Sequence, residues 1–379
     1  MIFQTLDDKS ECVGVYTDGK LHFHDIPTTL ATTWKYTGSL AGKDIEFVGL
    51  WTNGLTLSEC CPEDLAEELQ NCQKKFRAYL KSFKIARINM QDHCVFDLVP
   101  QEFLMRFCEV KNKITEHVQD TYTKPDNYDH LSDTSKLLHK IKYQKLNLST
   151  SDCQTLMSDY TYIDYNLFGT VTGRLTTNGN SFPILTLRKD LRQMIKPNND
   201  LFVCLDYNGA EVRTLLDLSG DTQPQEDIHG WNSRHLFEQG LTREECKVRF
   251  FAWLYDPSSD DITNSSYDRK KVLDKWHKDG NIHTPYGRKI QVEERKALNY
   301  LLQSTTSDRV LSKAVLIDRF LTENNCTSYI SHVVHDEIVI DYCNAERHLL
   351  GEIKEIFEDG YLVNLSIGKD YYTLNELKL

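Results

Sequence analysis

Two short apolar runs that each carry an aspartate constrain this chain most. Val333-Val334-His335-Asp336-Glu337-Ile338-Val339 and, about 130 positions earlier, Leu205-Asp206-Tyr207 both set an Asp at the edge of a β-branched or apolar stretch. A strand delivers a carboxylate to the rim of a sheet in this way. Carboxylates brought together from distant segments suit Mg²⁺, which seeks oxygen ligands and is rarely caged by protein alone. A pair of such ions serves in-line phosphoryl transfer, activating the attacking oxygen and stabilising the leaving one. Taken singly, an Asp at a strand end is more often a turn residue. What lies between the two decides.

Thr242-Arg243-Glu244-Glu245 has the form of a capping box. The run from Arg243 to Tyr255 holds no Gly or Pro, and it meets Asp256-Pro257, where helical geometry is disfavoured. The spacing predicts a helix with Arg243, Lys247, Phe251 and Tyr255 along one face. That stripe spans roughly 18 Å, cations first and aromatic rings after. A triphosphate fits the cations and the helix dipole, and its sugar or base fits the rings. An amphipathic surface helix with core aromatics is the plainer alternative.

Taken in order, these segments resemble the family A DNA polymerases. Asp206-Tyr207-Asn208-Gly209-Ala210-Glu211-Val212-Arg213 is similar to the first palm motif, and the stripe on Arg243, Lys247, Phe251 and Tyr255 to the nucleotide-binding fingers helix. His335-Asp336-Glu337 matches the last palm motif and Thr172-Gly173-Arg174-Leu175 the segment upstream of the palm. Asp227-Ile228-His229 matches the segment before the fingers helix, and Arg295, Asn299 and Gln303 a helix after it. The resemblance covers about residues 100 to 379.

The resemblance implies an α+β right-hand polymerase: a palm with an antiparallel sheet, a helical thumb and helical fingers, plus a small N-terminal β-containing region. Its implied divisions are 1–60 for the β region, 61–150 for the thumb, 151–225 and 295–379 for the palm, and 226–294 for the fingers. The implied reaction is template-directed addition of dNTPs to a primer 3′-OH. Asp206, Asp336 and the Tyr207 carbonyl would hold two Mg²⁺ ions. His229, Arg243 and Lys247 would bind the triphosphate, with Lys247 also placed as proton donor to pyrophosphate. Phe251 and Tyr255 would face sugar and base, while Glu211 beside Tyr255 would block a 2′-OH. Arg174, Asn299 and Gln303 would probe the minor groove, whose acceptors all correct pairs share. His335 would touch the primer terminus, Arg295 would belong to the DNA-binding set, and Glu337 would support either the metals or the local fold.

Three departures from the family pattern stand out. Gly209 replaces Gln, Asp256-Pro257 replaces the Gly after the fingers tyrosine, and the segment from Tyr255 to His283 is short. None removes a metal ligand or a phosphate cation. Single-subunit RNA polymerases share much of this pattern and are the nearest alternative, along with other template-dependent nucleotidyltransferases. Glu211 argues against RNA synthesis, which needs room for the 2′-OH. A silent accessory subunit is a third reading, disfavoured by the complete metal and phosphate sets.

Composition fits an ordinary globular chain: 379 residues, 40% hydrophobic and 26% charged. No signal-peptide pattern or membrane-length apolar run occurs, so a cytoplasmic enzyme is expected, and its compact form suggests a phage-infected bacterium. The 11 cysteines are scattered without a CxxC pair, as reduced thiols are. A formal charge of -12 argues against indiscriminate DNA coating, although local potential governs binding.

Two basic clusters offset that charge. Lys74, Lys75, Arg77, Lys81, Lys84 and Arg87 fit a solvated helix face with apolar positions at Leu65, Leu69, Cys72, Phe76 and Leu80. Lys136 and Lys140, with Lys142 and Lys145, stand where the family's thumb reaches the duplex, so phosphate contact is expected there. Val13 to Phe23 reads as a hairpin around Asp18-Gly19. No carboxylate pattern for a proofreading exonuclease is recognisable before residue 60, leaving open a separate exonuclease chain or a processivity factor. A polar loop is expected at 256–261, and a closing strand at Gly368-Lys369-Asp370-Tyr371-Tyr372.

Overall fold

The computed structural model describes residues 3–8, 11–23, 47–90, 92–149, 161–179, 181–237, 241–256 and 267–378. The expected polar loop lies, beyond Asp256, outside the described residues, as does much of the N-terminal region between 24 and 46. Two compact units divide the chain at 139/140.

In the first unit, β1 (Gln4–Asp8), β2 (Glu11–Thr17) and β3 (Lys20–His22) form an antiparallel sheet. Asp18 and Gly19 both take positive φ, 48° and 73°, the left-handed pair that a two-residue type I′ hairpin requires. Helices α1 (Glu63–Ile85) and α2 (Gln101–Thr121) follow, and α3 (Tyr128–Lys142) contains the division. Leu6 and Tyr16 from the strands share one apolar core with Cys72, Phe103, Leu104 and Cys108 from α1 and α2. The strands are therefore packed on these helices and do not form a core of their own. Leu80, expected on the buried side of α1, is 40% exposed among the lysines.

The second unit is built on a five-stranded, wholly antiparallel sheet in the order β8-β9-β4-β10-β11. The central strand is β4 (Leu201–Tyr207), followed in the chain by α4 (Ala210–Ser219), α5 (Ile228–His235), α6 (Arg243–Tyr255) and α7 (Arg269–Trp276). A small sheet of β5 (His277–Lys278), β6 (Asn281–His283) and β7 (Lys289–Gln291) leads into α8 (Glu294–Glu323). Then come β8 (Tyr329–Val334), β9 (Glu337–Tyr342), α9 (Leu350–Glu358), β10 (Val363–Gly368) and β11 (Leu374–Glu376).

Side chains alternate across a strand. Leu205, Tyr207, Ile338, Ile340 and Leu365 consequently share one buried face, while Asp206, Glu337 and Asn364 share the other. The buried face packs against α8 and α9. Helix α8 is buried at nearly every residue from Leu301 to Leu311, Gln303 being half-buried. A second cluster joins α4, α6, α7 and α8 through Val212, Phe250, Trp253, Val272 and Leu301.

The C-terminal strand differs from expectation. Pairing with β4 runs from Val363 to Gly368, and 369–373 form the turn to β11. The Asp370 carboxylate accepts from the backbone N–H groups of Tyr372 and Thr373, offering this stretch a local alternative to strand pairing. Among the described residues, no helix is long and apolar enough to cross a membrane.

Candidate active site

The two aspartates meet because of sheet register. Glu337 pairs with Asp206 across β9 and β4, so Asp336, one residue earlier, sits at the same end of the sheet. Val334 pairs with Glu337, leaving His335-Asp336 as the whole loop of the β8–β9 hairpin. His335 takes φ 55°, a left-handed turn conformation, and its side chain is exposed. Burial, then repulsion from Asp336, raises the Asp206 carboxyl to about 7. Burial also raises Asp336 and Glu337. Such a pair is held in an environment that penalises its own charge, which suits a site completed by a cation.

The cleft above them has a volume of about 390 Å³. Asp206, Asp336 and Glu211 line it with Arg243, Lys247, Phe251 and His229 opposite, and Arg174, Gln303 and His335 complete the expected set. Helix α6 spans Arg243 to Tyr255, with both halves of the Thr242–Glu245 capping box formed. Phe251 and Tyr255 stack at 6.0 Å between ring centroids, and Phe251 lies 5.9 Å from His229. Burial and the neighbouring Lys247 and Arg243 depress His229 to about 4, so its imidazole is neutral near pH 7. Glu211 accepts from Arg174 Nη2 at 2.6 Å and from the Tyr255 hydroxyl.

The turn after Asp206 is tied to the start of α6 through Asp227. Asn208 Nδ2 donates to Asp227 Oδ1 at 2.9 Å, and its Oδ1 accepts from the Ile228 N–H at 2.8 Å. Asp227 caps α5 through the Gly230 N–H and accepts two 2.7 Å bonds from Arg243. Those Arg243 bonds, chief among several, hold the Asp227 carboxyl well below the usual carboxylate range. Buried Arg213 donates to the carbonyls of Asn208, Pro224 and Glu226 and fixes the loop between. Gly209 sits at φ 69°, and a Cβ there would overlap Ile228. The departure from Gln at this position is therefore required by this chain's backbone and packing.

Behind Arg174, Arg288 and Asp308 form a buried ion pair at 2.6 Å, their side chains 10% and 0% exposed. Gly173, at φ 75°, lies so close beneath Arg288 that a Cβ would overlap the guanidinium. Ser307 Oγ donates to the Gly173 carbonyl at 2.9 Å. The Thr172-Gly173-Arg174-Leu175 turn is thereby held against α8. Asn208, Asp227 as partner of Arg243, the Arg288–Asp308 pair and Asn364 were not expected as site elements. Asp227 and Asn208 carried a signal as parts of Asp227-Ile228-His229 and of the Asp206-to-Arg213 segment.

Other expected residues lie elsewhere. Arg295 is exposed at the start of α8 and pairs with Glu293 at 2.8 Å. Asn299 is half-buried on α8, and its Oδ1 has no hydrogen-bond partner. Lys136 pairs with Asp133 at 2.9 Å and Lys140 with Asp318 at 2.6 Å. Glu337 accepts from the Tyr371 hydroxyl at 2.6 Å, a tie to the surrounding fold. Among the described residues, no group of three His, Cys, Asp or Glu side chains is placed to hold a metal ion. A cation at Asp206 and Asp336 would draw its remaining ligands from neutral oxygens, waters or substrate.

No family model matches the chain. It is 23% identical over 277 residues to DNA polymerase I of Chloroflexus aurantiacus, covering 58% of this chain and 29% of that protein. It is 24% identical over 271 residues to the thermostable DNA polymerase I of Thermus aquaticus, covering 56% and 32%. The matched region thus spans about a third of these relatives' length. Among solved structures, the POL domain of Pol1 from M. smegmatis, in complex with DNA primer-template and dNTP, is similar at a TM-score of 0.47 and 16% identity. That likeness covers 89% of this chain and 71% of the other. The fold class is α+β, built on a five-stranded antiparallel sheet. Over the region that carries the motifs, the chain is similar to these DNA polymerase I proteins.

Proposed function

We propose that this chain is a DNA-directed DNA polymerase that adds dNTPs to a primer 3′-OH on a template. The observation that carries the reading is that one cleft is lined both by the half-buried Asp206 and Asp336 and by Arg243, Lys247 and Phe251 of α6. Asp206, Asp336 and the Tyr207 carbonyl would hold divalent cations, two Mg²⁺ in this reading. Bound there, the metal supplies Lewis-acid activation of the 3′-OH and neutralises charge developing on the α-phosphate.

The chain's own groups do the rest. Arg243 and Lys247 bind the triphosphate oxygens with charge-assisted hydrogen bonds, and neutral His229 donates one more. Lys247 is placed to give a proton to the departing pyrophosphate. Phe251 and Tyr255 offer ring faces to sugar and base. Glu211, held by Arg174 and Tyr255, closes the space that a 2′-OH would need. His335, at the hairpin tip, would meet the primer terminus, and Gln303, with Asn299 and Arg295, the newest base pairs. Helices α1 to α3 would serve as thumb, with Lys136 and Lys140 exchanging carboxylates for phosphates when DNA binds. The sheet of the second unit would be the palm, with α5 to α7 as fingers. A bacteriophage replication role, unaided by proofreading within these residues, completes the reading.

One assay tests it. Primer extension with dNTPs, with NTPs and with no nucleotide should give a product only with dNTPs. Extension with NTPs at comparable efficiency would favour the RNA polymerase alternative, and no extension at all a silent binding subunit.

A further inference from the structure

Strand register gives Asp206 two side-chain neighbours on its own face of the sheet, Glu337 on β9 and Asn364 on β10. Glu337 is engaged by Tyr371. Asn364 is not so engaged: its Nδ2 donates to Asp206 Oδ2 at 3.3 Å, the one hydrogen bond that this carboxylate accepts among the described residues. Asn364 is exposed and lines the cleft, whereas its strand neighbours Val363 and Leu365 are buried. The position is free of core packing, and yet it faces the residue on which the chemistry depends.

We propose that Asn364 is a positioning residue for Asp206: its amide fixes Oδ2 of the carboxylate, and with it the direction in which Asp206 meets a divalent cation. The inference rests on the metal-binding part of the polymerase reading. A carboxylate can rotate about its last bond, and burial gives Asp206 no second donor to stop it. One donor on one oxygen leaves the remaining lone pairs of the carboxylate for a cation. Partners that orient a metal ligand in this way commonly govern affinity about 10-fold or more. Asn364 is held by its pairing with Asp206 across β10 and β4, and β11 pairs with β10 from Ser366 onward, so the amide's position does not depend on substrate.

The test uses the full chain without DNA or nucleotide and reads Mn²⁺ binding by electron paramagnetic resonance. Asp206→Ala identifies the site whose occupancy matters. Asn364→Leu, similar in size but without a donor, should weaken that site about 10-fold, while Asn364→Gln, which keeps the amide, should stay close to wild type. Thermal melting should show both variants folded, as expected for an exposed position. In extension assays Asn364→Leu should need more Mg²⁺ for half-maximal rate, with primer-template affinity unchanged. Wild-type Mn²⁺ affinity in Asn364→Leu, equal weakening in Asn364→Gln, or no Asp206-dependent Mn²⁺ site in the wild type would each overturn the inference. A chain that binds Mn²⁺ as expected but extends no primer would sink the polymerase reading alone. One that extends primers while Asn364→Leu binds Mn²⁺ normally would sink this inference alone.

Discussion

Arg174 and Glu211 are joined at 2.6 Å, and the hydroxyl of Tyr255, on α6, holds the same carboxylate. The Glu211 side chain is thus fixed by two partners from separate segments. The resemblance implies a minor-groove role for Arg174; in the structure its guanidinium pairs with Glu211. Glu211→Ala should raise ribonucleotide use relative to dNTP at least about tenfold, equivalent to ~1.4 kcal/mol of lost discrimination. Arg174→Ala should move in the same direction, by less. Phe251→Tyr should instead raise dideoxynucleotide use without admitting NTPs. Single-nucleotide kcat/KM for the three sugar types measures all of this, and unchanged selectivity in Glu211→Ala would remove the gate.

Asp206→Ala or Asp336→Ala should abolish primer extension and leave primer-template binding intact, since neither carboxylate is placed to grip a duplex. Rapid-quench single turnover against a gel-shift Kd separates the two effects. Retention of a tenth of the wild-type rate, a loss of only ~1.4 kcal/mol in the transition state, is too small for a missing metal ligand.

Asp227 joins the cap of α5 to the guanidinium of Arg243. Asp227→Ala should cost about 1–2 kcal/mol of stability, mostly the lost cap, because the Arg243 ion pair is partly solvent-exposed and screened. Asp227→Asn should keep the cap and much of the stability. Both should raise KM for dNTP more than they lower kcat, as Arg243 loses its orientation. A fall in KM would instead mean that Asp227 competes with the triphosphate for Arg243.

His332 is wholly buried, edge-on to the rings of Phe202 and Tyr371, and burial holds it down to about 3 from an ordinary 6.5. The unfolded chain therefore takes up a proton that the folded chain refuses. Stability from this residue is complete above pH 6.5 and is lost as pH falls toward 3, by at most about 1.4 kcal/mol per pH unit. The raised carboxyls at the site act in the opposite sense, so a difference experiment is needed. Urea midpoints of wild type and His332→Leu at pH 7.5 and 4.5 should show the variant losing less on acidification; parallel losses would refute the assignment.

The features legible in the sequence are those written locally. The Thr242–Glu245 box and the break at Asp256 bound α6 at its observed ends, and Asp18-Gly19 names its own turn. Asp206 and Asp336 could be singled out because each ends an apolar run. What escaped depends on pairing at a distance. Nothing near Asn364 announces that β10 will lay it beside Asp206, 158 positions earlier. The Arg288–Asp308 pair joins the strand side of one turn to the middle of a buried helix, and a charged residue inside a helical pattern ordinarily reads as its wet face. The closing strand expected at Gly368 to Tyr372 rests on resemblance, whereas in this chain the Asp370 side chain folds that stretch into a turn and the strand lies just before it.

The loop that carries Asp336 contains only His335 and Asp336, and it joins the edge strand β8 to β9, which is paired on both sides. A loop so short has no slack in which to breathe. Amide protons flanking Asp336 should therefore exchange with solvent only when the central strands themselves part, making this corner of the cleft among the slowest-exchanging places in the chain. Functional loops are usually drawn from the least stable parts of a fold. Here Asp336 is mounted on a paired part of the sheet, so movement at the cleft is expected first in the helices that line it.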